Sequence, residues 1–212
     1  MTINFVTLAL GRIGDGKSSF LNAYLQKDEF EISSKPESKK YITSSASNIV
    51  NGEERIGIDT QGLEDIETCE SEHIQQMTQF LLSWEKGVNV IAIVINGQYT
   101  ILSTGTKNLI KYFYKFFNQP DFFNHVCVVF TRWYNEVMTE EDKAAVKKEY
   151  QSTILNNIIR EFSGCENTNL QIPFFFINSK QWKEDGDTQN QLNAFHSFVK
   201  SRGKLSTLKI EE

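Results

Sequence analysis

Short apolar runs alternate along this 212-residue chain with segments whose apolar residues recur every three or four positions. The runs predict buried strands, because parallel strands covered on both faces are apolar throughout. The predicted strands are Ile3–Leu10, Glu54–Ile58, Val88–Ile95, His125–Phe130 and Ile172–Ile177. The periodic segments predict helices with one apolar face. Strands alternating with helices predict an α/β fold in which helices cover both faces of a mostly parallel sheet.

The residues between the first predicted strand and the first predicted helix, Gly11–Ser18, match the phosphate-binding pattern G-x-x-x-x-G-K-[ST]. The glycines let successive backbone N–H groups point at phosphate oxygens, and the helix adds the positive end of its dipole. We expect Lys17 to reach the β- and γ-phosphates and Ser18 to bind Mg²⁺. The expected phosphate contacts are Arg12, Gly14, Asp15, Gly16, Lys17, Ser18 and Ser19.

A second phosphate element, Asp59-Thr60-Gln61-Gly62, follows the next predicted strand. In such a D-x-x-G arrangement the aspartate holds Mg²⁺ through water, and the glycine N–H bonds the γ-phosphate. We therefore expect Asp59 in the metal site. Gly62, together with Lys17, is expected at the reacting phosphate.

The polar residues 26–47 lie between the two phosphate elements and have no clear period. A loop of this length inside a compact domain is usually functional or disordered, and this one stands where a nucleotide-sensing switch belongs. We expect it to supply a further Mg²⁺ ligand. Thr43 is the preferred candidate, and Ser44 and Ser45 are the alternatives.

Composition limits the remaining function classes. A formal net charge of −5 argues against a general nucleic-acid binder. The longest apolar run is too short to span a bilayer, and the N-terminus does not have the pattern of a secretory signal. The three cysteines match no disulfide or metal spacing, which is typical of reduced thiols in a cytoplasmic protein. We expect residues 1–200 to form one domain and residues 201–212 a short charged tail.

These motifs together resemble the AIG1/GIMAP group of septin- and Toc34-like GTPases. The similarity covers about residues 3–200, and four stretches carry it: Gly11–Ser18, Asp59–Leu63, Gly87–Thr100 and Phe130–Arg132. It implies a three-layer, Ras-like P-loop NTPase fold, with GTP or GDP and Mg²⁺ as ligands. It also implies a homodimer formed across the nucleotide face. Many relatives act at membranes through C-terminal extensions, so peripheral membrane association is expected here only through a partner.

The resemblance also indicates where the base would bind. In the family, Phe-Thr-Arg precedes Lys-Glu-Asp, whose aspartate accepts two guanine N–H groups; this chain continues from Arg132 through Trp133 to Asn135. An asparagine has only one acceptor oxygen, so Asn135 and Glu136 are alternative base readers. Trp133 either stacks on the base beside Arg132 or anchors this loop in the core. Asn178, after the last predicted strand, either contacts the base or ends the strand.

The position that orients the attacking water also differs from that of Ras-type enzymes. Those enzymes have glutamine directly after the D-x-x-G glycine, whereas this chain has Leu63, which cannot orient water. We therefore expect a GTP-binding protein with slow hydrolysis that depends on a dimer or partner and controls assembly. The alternatives are a nucleotide-binding scaffold without useful turnover and a P-loop kinase. No arginine-rich lid is evident in the sequence, which disfavours the kinase.

Overall fold

The elements follow one another in the alternating order that the sequence predicts. The computed structural model describes residues 3–32, 43–60, 62, 72–99, 102–134, 136–151, 156, 160–161 and 171–206. Its strands are β1 (Asn4–Leu10), β2 (Ser44–Val50), β3 (Glu53–Asp59), β4 (Val90–Asn96), β5 (Val126–Thr131) and β6 (Phe174–Phe176). Its helices are α1 (Lys17–Leu25), α2 (Glu72–Leu82), α3 (Thr104–Phe117), α4 (Glu140–Glu149) and α5 (Gly186–Lys200), with a 3₁₀ turn at Phe122–His125.

Within these residues the strands form one sheet in the order β2-β3-β1-β4-β5-β6. All neighbouring pairs are parallel except β2 with β3, which is antiparallel. The five apolar runs therefore form strands as predicted. Strand β2 falls partly in the polar segment and was not predicted, because among its residues only Val50 is buried. An edge strand without an apolar face has no sequence period that would reveal it.

Helices cover both faces of the sheet. Phe20 and Tyr24 of α1 pack with Phe195 of α5 on one face, and all three are fully buried. On the other face, Leu81 of α2 and Phe113 of α3 lie in a second core cluster. The result is the predicted three-layer arrangement. No helix among the described residues is long and apolar enough to cross a membrane.

The two ends of the parallel strands carry different kinds of residue. At the amino end, Asn89 accepts a hydrogen bond from Val6 N at 2.8 Å and donates to the carbonyls of Arg202 and Gly203. Leu205 is fully buried there, so part of the segment predicted to be a tail packs against the domain. At the carboxyl end, the loops after β1, β3, β5 and β6 converge, which is where open α/β sheets bind ligands.

Candidate functional site

The loop between β1 and α1 has the form expected of an anion-binding loop. Helix α1 begins at Lys17, and its N-cap residue, Gly16, has a left-handed φ of 88° and no side chain that could cap the helix. The N–H groups of the first turn are therefore offered to a ligand instead of to a capping side chain. Gly14 and Ser19 line the same cavity, which we call the phosphate cavity.

Thr131, at the end of β5, holds this loop in place. Its hydroxyl donates to Asp15 O at 2.5 Å, although the two residues are 116 positions apart. A Cβ on Gly16 would lie 2.9 Å from the same Thr131 oxygen, so only glycine fits at that position. The Asp15 carboxylate in turn accepts from Arg12 N at 2.9 Å. Burial raises the pKa of Asp15, while the Arg12 N–H group and Lys17 lower it.

Lys17 lies buried beneath the loop and folds back on it. Its Nζ donates to Gly11 O at 3.2 Å and to Arg12 O at 2.9 Å. Burial lowers the pKa of Lys17, and the nearby Asp59 and Asp15 carboxylates act in the opposite direction. A buried cation whose hydrogen bonds among the described residues go to carbonyl oxygens gains from a phosphate that comes within reach.

Ser18 and Asp59 meet where the metal ligands were predicted. The Ser18 hydroxyl donates to Asp59 Oδ2 at 2.5 Å, whereas Asp59 Oδ1 is buried and has no hydrogen-bond partner among the described residues. Burial raises the pKa of Asp59, against the effects of Ser18 and Lys17. An unpartnered buried carboxylate oxygen next to a hydroxyl is a donor set suited to Mg²⁺.

The other expected ligands of the phosphate side surround this pair. The Thr60 hydroxyl donates to Ala9 O at 2.6 Å, which fixes the chain beyond β3 against β1. Gly62 lines the phosphate cavity and touches the P-loop, because a Cβ at this position would collide with backbone atoms of Ile13. Thr43 is buried one residue before Ser44, which pairs with Asp59 across the β2–β3 ladder. Gln61 and Leu63 lie outside the described residues.

On the base side, Trp133 takes the second of its two expected roles, the core anchor, and not that of a base-stacking residue. Arg132 lines the phosphate cavity and adopts a left-handed φ of 51°. After this turn, Trp133 N donates to Ile177 O, and the indole ring lies in the core, 4.5 Å from the ring of Phe176. Trp133 is only 1% exposed, so in this structure its ring anchors the loop and offers no face to a base. Asn135 lies outside the described residues.

Asn178 is held rigidly after β6. Its backbone N–H donates to Thr188 Oγ1 at 2.9 Å, and its side-chain amide donates to Gln181 Oε1 at 2.8 Å. Its Oδ1 atom is buried and has no partner in the part of the chain that the structure describes. Glu136 is exposed and, together with Asn178, lines a cavity of about 340 Å³ that we call the Asn178 cavity.

A larger cavity, which we call the adjoining cavity, lies next to the phosphate cavity and shares Gly16, Ser19, Ile32 and Arg132 with it. It has a volume of about 350 Å³, and residues 179–184 form one wall. The sequence placed the start of this segment, from Asn178 to Lys180, where a base-contacting loop is expected, but it did not single out residues 181–184. A signal for them was Trp182, a large aromatic residue in a polar segment after a predicted strand.

A P-loop after β1 and an aspartate after β3, in a sheet of this order, define the Ras-like class of GTPase folds. The chain belongs to the AIG1 family, whose sequence profile matches residues 6–201. No curated protein sequence matches the chain.

Solved structures confirm the fold. Toc33 from Arabidopsis thaliana with GDP and Mg²⁺ has a TM-score of 0.71 and 16% identity, over 96% of this chain and 88% of that one. A further solved structure is described as showing that dimerisation is important for the GTPase activity of the chloroplast translocon components atToc33 and psToc159. It has a TM-score of 0.73 and 16% identity, over 97% of this chain and 87% of that one. Aquifex aeolicus Era bound to GDP and AlF₄⁻ has a TM-score of 0.59 and 16% identity, over 100% and 61%.

Proposed function

We propose that this protein binds GTP and GDP with Mg²⁺ and that the bound nucleotide controls its assembly. The observation that carries the proposal is the Ser18–Asp59 pair, with its unpartnered Oδ1, at the uncapped start of α1. These groups combine donors for phosphate oxygens with acceptors for a divalent cation. Family membership and the guanine nucleotides bound in Toc33 and Era support the same ligands.

In this proposal the chain's own residues divide the work on the phosphates. Lys17 leaves the carbonyls of Gly11 and Arg12 to pair with the β- and γ-phosphates, and the amides after Gly16 hold the remaining oxygens. Ser18 and Asp59 hold Mg²⁺, with Thr43 as the proposed switch ligand. Mg²⁺ supplies charge neutralisation at the transferred phosphoryl group. The Gly62 N–H group bonds the γ-phosphate. Loss of the γ-phosphate would release the chain around Gly62.

On the base side we propose contacts from Arg132 and Asn178, with Glu136 or Asn135 nearby. Asn178 Oδ1 is a fixed, unpartnered acceptor, which suits the donor-rich edge of guanine better than that of adenine. Titrating the protein with GTP, GDP and ATP in Mg²⁺ by calorimetry tests this assignment. We expect both guanine nucleotides to bind more tightly than ATP. Equal or tighter ATP binding would refute guanine specificity.

We further propose slow hydrolysis that speeds up when two copies meet across the nucleotide face in the cytoplasm. Leu63 supports this proposal because it cannot orient water, so a second protomer has to complete the site. Single-turnover phosphate release should then rise with protein concentration. If release stays at the spontaneous rate at every concentration, the protein is a nucleotide-binding scaffold without useful turnover.

A further inference from the structure

The turn that follows β6 carries a carboxylate, Glu184, that lines the same cavity as Asn178. In this turn Gln181 N donates to Asn178 O at 3.1 Å, and Glu184 N donates to Gln181 O at 3.0 Å. The turn ends at Asp185, whose side chain accepts from Asp187 N at 3.0 Å and so caps α5. Glu184 therefore lies on a segment that is fixed at both ends.

Glu184 also lies where the two cavities meet. Glu184 and Gln181 line both the adjoining cavity, which borders the phosphate cavity, and the Asn178 cavity. A base attached to a nucleotide in the phosphate cavity would enter the adjoining cavity, because Arg132 and Ser19 line both. The edge of that base would then face Glu184 and Asn178.

The other nearby carboxylates are less suitably placed. Glu136 lines the Asn178 cavity and not the adjoining cavity. Asp28 lines the adjoining cavity, which does not include Asn178. Asp185 is engaged by the helix cap, where its Oδ2 accepts from Thr188 Oγ1 at 2.8 Å. Among the described residues, Glu184 is the carboxylate that borders both cavities without a capping role.

We propose that Glu184 reads the guanine base together with Asn178, and so provides the carboxylate that the motif after β5 lacks. This inference rests on the proposed nucleotide function. A carboxylate accepts from both guanine N1–H and the 2-amino group, while Asn178 Oδ1 adds a further acceptor. Specificity for guanine then comes from the turn after β6, since Trp133 is turned into the core.

Exchanging the carboxylate for an amide tests the proposal. Xanthine has a carbonyl where guanine has its 2-amino group, so an amide N–H at residue 184 would favour xanthine. In E184Q we expect GDP affinity to fall by about tenfold or more, and the ratio of GDP to XDP affinity to fall further. The matched control D28N, in the same cavity wall region, should keep the wild-type ratio, and E136Q tests the alternative base reader.

Binding can be followed directly through Trp182, which lines the adjoining cavity. Its fluorescence should change on GDP binding in wild type and in D28N, and this change should be absent in W182F. An unchanged GDP-to-XDP ratio in E184Q, or a shift in E136Q or D28N instead, overturns the assignment to Glu184. If the wild type binds neither GDP nor GTP by calorimetry, the proposed function itself fails, and this inference fails with it.

Discussion

The Ser18 hydroxyl donates a 2.5 Å hydrogen bond to Asp59 Oδ2 and so joins the first turn of α1 to the end of β3. This contact brings together two residues that are 41 positions apart in the sequence. The remaining Asp59 oxygen is buried and has no partner among the described residues, and Ser18 and Asp59 both line the phosphate cavity. Such an arrangement is costly for the empty protein and favourable for the protein with a bound cation.

Removing the Ser18 hydroxyl should remove most of the increase in GDP affinity that Mg²⁺ gives. In Ser18→Ala we expect GDP affinity in Mg²⁺ to fall by about tenfold or more, close to the value in EDTA, because one metal ligand is lost. Calorimetry with Mg²⁺ and with EDTA measures the difference. Ser47→Ala, on the exposed part of β2, should keep the full magnesium effect. A Ser18→Ala variant that responds to Mg²⁺ like wild type would exclude this hydroxyl as a ligand.

Neutralising Asp59 should stabilise the nucleotide-free protein. Because burial raises its pKa, the folded state favours the protonated acid, and stability is lost as the pH rises through that raised pKa. Asp59→Asn cannot ionise, so its melting temperature in EDTA should exceed that of wild type by a margin that grows from pH 4 to pH 7. Magnesium-dependent binding should be lost in the same variant.

Asp142 provides a control of opposite sign for this pH series. Its carboxylate accepts from Thr139 N at 2.7 Å in the capping box of α4, which lowers its pKa. Asp142→Asn should therefore melt below wild type at pH 7, and the gap should close as the pH falls through the lowered pKa. If Asp59→Asn showed this same trend, the Asp59 carboxylate would be stabilising and not strained.

A methyl group added at Gly16 should destabilise the protein more than one added at a glycine elsewhere that has a similar backbone conformation. Gly52, in the β2–β3 turn, has a φ of 82°, and a Cβ there meets nothing within 4 Å. Gly52→Ala should lower the free energy of unfolding by about 1 kcal/mol, the cost of the left-handed conformation. Gly16→Ala should cost more, since its methyl group must also displace Thr131. Urea denaturation of both variants measures the difference, and equal losses would contradict the close contact.

Asn89 should matter for stability and not for nucleotide binding. Its side chain makes three hydrogen bonds to backbone groups at the amino ends of the strands, far from the P-loop. Asn89→Ala should lower the free energy of unfolding by about 2–3 kcal/mol in urea, because these groups lose their partner. Asn193→Ala, on the exposed side of α5, should change it by less than about 0.5 kcal/mol. A loss of GDP affinity in Asn89→Ala at low temperature would indicate an unexpected link to the site.

Local patterns predicted the fold and singled out phosphate-side residues that line one cavity, because the relevant signals lie within a few residues of one another. The apolar runs and the P-loop pattern Gly11–Ser18 are examples, since each depends on neighbours in sequence. Trp133 could not be placed in this way, because its burial depends on the turn at Arg132 and on Phe176 of another strand. Strand β2 was missed for a related reason, since its pairing with β3 leaves no apolar period.

Thr131 ties the two halves of the site to a single residue. Its hydroxyl holds the P-loop through Asp15 O, and its carbonyl accepts from Gly97 N at 2.7 Å beside the turn at Arg132. A displacement of Thr131 would therefore act on the phosphate loop and on the segment next to Arg132 together. The two halves cannot be adjusted independently at this position, so natural variation at residue 131 should alter base affinity and phosphate affinity together.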